Sequence, residues 1–253
     1  MDSFIGWLGG KKLLRDKILG EFPQEEVKKY VEVFGGAAWV LFRKICPGSK
    51  CLEVYNDINS DLVNLFRCVK CHCSEVQKEL SFMLNSREQF ADYRAQMAGG
   101  GLTDIQRAAR FFFLIKESFG SKYKYFASSG GKNVVDIIPY LTEVQQRLKR
   151  VVIEHKDFTD IIRLYDSSTT LFYCDPPYYG AEREYNVSFT IHDHMLLRDS
   201  LKDLTGRFIL SYNDNSTIRQ MYEGYNITTI SRSNNLSKGV RKNAYQEIII
   251  KNF

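Results

Sequence analysis

Asp175-Pro176-Pro177-Tyr178 is the stretch of this sequence most suited to chemistry. It follows the short apolar run Thr170–Cys174, which reads as a buried strand. In an open α/β sheet, ligands gather at the carboxyl ends of strands, where an acidic residue is placed to meet one. Two consecutive prolines fix φ and remove two backbone N–H donors. What is left is a stiff turn that offers a carboxylate and carbonyl oxygens, with an aromatic ring behind them. Such an acceptor-only site suits a planar group bearing an NH2. The carboxylate of Asp175 takes one N–H, the Pro176 carbonyl takes the other, and Tyr178 stacks on the ring. Cys174 beside it reads as a buried strand residue, not a nucleophile.

Two further stretches carry ligand chemistry. Glu32-Val-Phe34-Gly35-Gly36 follows another apolar run and precedes an amphipathic one. Glycines at that junction let a ligand approach the backbone beside a helix N-terminus. The spacing is not the dinucleotide G-x-G-x-x-G pattern, and no Walker Gly-Lys-Ser/Thr is present, so nicotinamide and ATP chemistry are disfavoured. Asp57 ends the next apolar run, where an acid meets a ribose diol in doubly wound folds. Near the start, Trp7 offers a π face to a cation and Lys11 offers a charge to a carboxylate. Together they suit a zwitterion carrying a sulfonium.

The elements that must hold these residues are legible as alternating short strands and amphipathic stretches. Strand-like runs lie at 30–34, 51–55, 151–153, 170–173 and 208–210, with helical patterns at 37–45, 58–68, 160–164 and 194–204. This alternation predicts a parallel sheet with helices on both faces. Two extended runs, 226–230 and 245–251, close the chain as an antiparallel hairpin. Between Cys71 and Asp136 the alternation breaks into helical patterns at 76–84 and 103–119, with Gly99-Gly100-Gly101 as a helix stop.

Composition sets the outer bounds. The 253 residues are 44% hydrophobic and 26% charged, an ordinary globular balance that excludes disordered and fibrous classes. Apolar runs are a few residues long, far below the roughly 18 needed to cross a bilayer, and no export signal opens the chain. The cytoplasm is the expected compartment. The net charge of +5 permits nucleic-acid binding without requiring it. Its distribution is more telling: residues 70–132 hold ten Lys/Arg against six Asp/Glu, and residues 231–253 hold five against one. Lys116, Lys122, Tyr123 and Lys124 form one basic aromatic patch, and Lys238, Arg241 and Lys242 belong to a second; both suit phosphates and unstacked bases. Cys68, Cys71 and Cys73 lack the paired knuckles of a zinc site, so no metal is expected.

In this order, the motifs resemble those of the Dam-type DNA adenine methyltransferases. Trp7-x-Gly9-Gly10-Lys11 is similar to that family's N-terminal cofactor motif, and Glu32–Gly36 to its glycine loop, with Ala37-Ala38 where a further glycine is usual. Tyr55-Asn-Asp57-Ile-Asn59 resembles the ribose-binding stretch, and Asp157-Phe158 the site that meets the cofactor adenine. Asp175–Tyr178 resembles the catalytic signature. Ser211-Tyr-Asn213 and Glu247-Ile-Ile-Ile resemble the late strand and hairpin. The resemblance implies a Rossmann-like sheet with a C-terminal hairpin, formed by residues 1–70 and 137–253. It also implies an inserted, mainly helical target-recognition subdomain at 71–136. The implied cofactor is S-adenosyl-L-methionine and the implied partner double-stranded DNA; the sequence leaves the oligomeric state open between a monomer and a weak dimer. Residues 121–131 depart from the hairpin of GATC-specific members, so no target sequence is implied. The acceptor site by itself would also serve cytosine, RNA or a protein amide, and a non-catalytic DNA-binding relic would keep the same fold.

Overall fold

A computed structural model describes residues 1–44, 51–118, 123, 125–127, 134–182, 188–232 and 245–253. Its centre is a seven-stranded sheet of β1 (Lys29–Glu32), β2 (Leu52–Asn56), β3 (Val151–Glu154), β4 (Thr170–Cys174), β5 (Arg207–Asn213), β6 (Asn226–Arg232) and β7 (Tyr245–Lys251). The spatial order is β3-β2-β1-β4-β5-β7-β6. The first five of these are parallel, β7 runs antiparallel to β5, and β6 antiparallel to β7. The chain winds outward from β1 to β3, then crosses to β4 on the other side of β1. That reversal opens a crevice at the carboxyl ends of β1 and β4.

Both faces of the sheet are buried, and the side chains sort between them with a period of two. Tyr30, Tyr55, Leu171, Tyr173, Ile209 and Ile249 enter one core, while Val31, Val54, Phe172, Phe208, Leu210, Ile248 and Ile250 enter the other. Over the second core lie α8 (Phe158–Tyr165), α9 (Ile191–Lys202) and α10 (Ser216–Met221), through Ile161, Leu197 and Ile218. Over the first lie α1 (Arg15–Gly20), α2 (Trp39–Arg43), α3 (Ser60–Cys71) and α7 (Tyr140–Leu148).

The helices α4 (Cys73–Ser81), α5 (Arg87–Gly99) and α6 (Asp104–Lys116) follow α3 and continue the first core outward. Phe112 of α6 packs on Phe4, Phe4 on Phe66 of α3, and Phe66 stacks on Tyr55 of β2 with ring centres 4.2 Å apart. α6 starts with a reciprocal Thr103–Gln106 capping box, and α5 ends at Gly99 with Gly100 and Gly101 both at positive φ. Cys68 is buried on α3 against Asn64, while Cys73 is buried and Cys71 exposed. Among the described residues, no helix is long and apolar enough to cross a membrane.

One expected helix is shorter than its pattern. The run 37–45 becomes α2 only from Trp39, because Gly36 and Ala38 both take left-handed backbone and carry the chain sideways first.

Candidate active site

β4 delivers Cys174 into the core and stops at the two prolines. Asp175 stands at that stop. Its Oδ1 accepts from the Ser211 hydroxyl at 2.9 Å and from Lys11 Nζ at 2.7 Å. Lys11 is buried and also donates to the Gly9 carbonyl at 2.8 Å. Among the described residues nothing donates to Asp175 Oδ2 or to the Pro176 carbonyl, so both keep their lone pairs. Burial pushes the Asp175 carboxyl above the usual aspartate range, Lys11 and Ser211 pull it back, and the Glu247 carboxylate nearby pushes it up. The Lys11 ammonium lies 4.7 Å over the Tyr178 ring, whose hydroxyl donates to Glu247 Oε2 at 2.7 Å. Burial drives the Cys174 thiol far above its ordinary range, so it stays protonated and inert.

On the β1–β3 side the construction differs. The Gly35 N–H donates to the Asn56 carbonyl and the Gly36 N–H to Asp57 Oδ2, both at 2.7 Å. Tyr55 passes beneath, its hydroxyl donating to the Gly36 carbonyl at 2.9 Å. A Cβ on Gly35 would lie 2.2 Å from the Tyr55 ring, so only glycine fits there. Gly36 has φ +49° and faces Trp7. Asp57 also accepts from the Asn59 N–H at 2.8 Å; burial pushes its carboxyl up, and these backbone bonds lower it. Glu32 is buried and accepts from Leu41 N–H at 3.2 Å. It thereby caps α2, whose own N-cap, Ala38, has no side chain to do so. Burial drives the Glu32 carboxyl well above the usual glutamate range. Asp157 caps α8 through Thr159 N–H at 2.9 Å, and Phe158 packs on Phe34 at 5.6 Å.

One pocket, enclosing about 1110 Å3 of space that includes open solvent, joins the two sides. Trp7, Lys11, Glu32, Phe34, Gly35, Gly36, Asp57, Asp157, Phe158, Asp175, Pro176 and Pro177 all line it. Residues up to 170 positions apart, Trp7 and Pro177, are thus gathered along one crevice. Tyr178, half-buried, is not among the lining residues. Lys11, read from sequence as a partner for a ligand carboxylate, here holds Asp175. Lys116 lies near the end of α6 with its ammonium 6.0 Å over Phe112, and Tyr123 packs on Phe111, which packs in turn on Trp7. Lys122, Lys124, Lys238, Arg241 and Lys242 lie outside the described residues.

Sequence reasoning passed over Ser211 and Glu247 as site groups. Both leave a signal: a hydroxyl inside the apolar run 208–212, and an acid heading three isoleucines. Both are buried. A polar group in a strand buried on both faces needs a partner, and here the partners are Asp175, Tyr178 and Lys11.

Comparison with known proteins points one way. Residues 7–236 match the D12 class N6 adenine-specific DNA methyltransferase family. The chain is 26% identical to the type II methyltransferase M1.LlaDCHI of Lactococcus lactis subsp. cremoris, over 99% of this chain and 95% of that protein. It is also 26% identical to the type II methyltransferase M.MjaIII of Methanocaldococcus jannaschii, over 99% and 98% respectively. A DNA adenine methylase of Vibrio cholerae is 25% identical over 98% of this chain and 94% of its own.

Proposed function

This chain belongs to the D12 class N6 adenine-specific DNA methyltransferase family, and from that premise we propose which of its residues bind the methyl donor, which receive the adenine, and which meet DNA. The activity is methyl transfer to the exocyclic amino group of adenine in DNA. We assign the donor as S-adenosyl-L-methionine and the substrate as double-stranded DNA with the target adenine flipped out of the stack.

The pocket fits that donor by the chemistry of its walls. Gly35 and Gly36 let an adenosyl group approach the backbone, and Asp57 has acceptor capacity left for a ribose diol. Asp157 and the Phe34–Phe158 pair receive the adenine ring, and Trp7 offers a π face to a cation. When bound, the donor supplies a methyl group activated by a sulfonium.

The observation that carries the acceptor reading is the asymmetry of Asp175. One oxygen is pinned by Lys11 and Ser211, and the other is open beside an equally open Pro176 carbonyl. Those two acceptors take the two N–H bonds of the adenine amino group. They fix its lone pair toward the donor and stabilise the positive charge that grows on nitrogen. Pro177 stiffens the turn, and the Tyr178 ring supports the base from behind. No covalent enzyme intermediate is needed.

Residues 71–136 are proposed as the target-recognition part, contacting DNA through Lys116 and Tyr123 together with Lys122 and Lys124. Lys238, Arg241 and Lys242, in the second basic cluster of the sequence, are proposed as further phosphate contacts. Asp175→Asn tests the central assignment in a tritiated-methyl assay on adenine-unmethylated bacterial genomic DNA. Asparagine keeps the shape and leaves Lys11 an acceptor. Transfer should fall to background with an unchanged melting temperature; retained activity overturns the assignment.

A further inference from the structure

The C-terminal hairpin does more than extend the sheet. β7 wedges between β5 and β6, with Glu247 opposite Asn213 on one side and Ile230 on the other. Because β7 is antiparallel to β5, its first residues reach the carboxyl ends of the parallel strands, where the pocket opens. Glu247 shares a face with Ile249, which enters the core containing Tyr55 and Tyr173. At the position where the pattern calls for another isoleucine, the chain places a carboxylate.

We propose that Glu247 is a positioning residue for methyl transfer, holding the Tyr178 ring through its hydroxyl and sharing the charge of Lys11 with Asp175. This rests on the reading of Asp175 and Tyr178 given above. The Tyr178 hydroxyl has Glu247 Oε2 as its acceptor at 2.7 Å, and the ring carries the Lys11 ammonium on one face. Without the carboxylate, that ring loses the bond that fixes its rotation, and the platform behind the base loosens. Lys11 Nζ lies 2.7 Å from the half-buried Asp175 carboxylate and 3.9 Å from the buried Glu247 carboxylate, so a single cation stands between two carboxylates. Counted at formal charges, one ammonium between two carboxylates leaves one negative charge in excess. A net negative site favours the amino nitrogen at the moment it becomes positive, and it does so in a poorly hydrated environment where charge acts strongly. Removing Glu247 leaves Lys11 to neutralise Asp175 alone. The C-terminal hairpin thereby supplies a group that acts on chemistry performed some 70 residues earlier in the chain.

The test is a double-mutant cycle in the full-length protein, with S-adenosyl-L-methionine and adenine-unmethylated genomic DNA. Glu247→Gln keeps an acceptor for Tyr178 and removes the charge; Glu247→Ala removes both. Each should lower kcat by about tenfold or more, Ala the more strongly, while the donor KM stays within about twofold. On a Tyr178→Phe background the loss from Glu247→Ala should shrink, because the shared hydrogen bond is already gone. Unchanged kcat, a rise in donor KM alone, or strictly additive losses would overturn the proposal. If the Glu247 variants lower the melting temperature too far to assay, Tyr178→Phe alone must still lower kcat at unchanged donor KM, and failure to do so counts against it. Asp175→Asn separates the two levels. An inactive Asp175→Asn beside a fully active Glu247→Ala removes this inference only, whereas an active Asp175→Asn removes the reading beneath it.

Discussion

The two sides of the pocket use carboxylates in opposite ways. On the β1–β3 side, Glu32, Asp57 and Asp157 are each held by backbone N–H groups, of Leu41, of Gly36 and Asn59, and of Thr159. On the β4–β7 side, Asp175 and Glu247 are held by side chains: a lysine, a serine and a tyrosine. Backbone partners have fixed positions, so the first side is a mould whose shape selects a ligand. Among the side-chain partners Lys11 brings a full charge, so the second side is an electrostatic device. On the proposed assignment, one pocket pairs a rigid mould for the donor with a charged wall for the acceptor.

Substitutions can break this contrast, and the effects should descend in size. Asp175→Asn removes the charge at the centre of the acceptor side and should lower kcat by about a hundredfold or more, leaving donor affinity measured by calorimetry nearly unchanged. Gly35→Ala should do the reverse. Its Cβ meets the Tyr55 ring, and overpacking of this kind costs about 1–3 kcal/mol. Donor affinity should fall by about tenfold or more, or the melting temperature should drop if the loop holds its shape.

Ser211→Ala is subtler. It removes one hydrogen bond to Asp175 and should lower kcat about two- to tenfold. It also shifts the pH profile. Only the ionised Asp175 carries the negative charge that stabilises the nitrogen as it becomes positive, so activity is lost as pH falls through its pKa, which burial has already raised. Ser211 lowers that pKa, so the alanine variant should lose activity at a higher pH than the parent. An acid limb that stays in place would mean that Ser211 does not act on Asp175.

The smallest effect expected is a gain. Ala38 sits at φ 55°, ψ 39°, where a Cβ is unfavourable. Ala38→Gly should stabilise the fold by about 1 kcal/mol or less, since relief of the left-handed strain is partly offset by glycine's larger entropy loss. Thermal melting would show it, and kcat should not move.

Much of the sheet was legible because strands buried on both faces read as short apolar runs. The runs at 51–55, 151–153 and 170–173 fall within about one residue of β2, β3 and β4. α5 was harder to place, since only Phe90 of its thirteen residues is buried and no apolar stripe marks it. The motifs lining the pocket were legible for a different reason. Each is local: a glycine pair before a helix, an acid at a strand end, two prolines beside an acid.

What the sequence by itself determined was therefore the set of groups: the Asp-Pro-Pro-Tyr turn, the glycine loop, Asp57, Trp7, Lys11, and the methyltransferase family they belong to. Their order along the chain and their local chemistry were enough for that. Only the tertiary structure decided who partners whom. Lys11 meets Asp175 across 164 positions because the N-terminal segment folds over the end of β4. Glu247 reaches Tyr178 because β7 inserts antiparallel between β5 and β6. No periodicity or spacing encodes those meetings. Strand order is fixed by the packing of the whole sheet, and a hydrogen bond between distant residues exists only once that packing is complete.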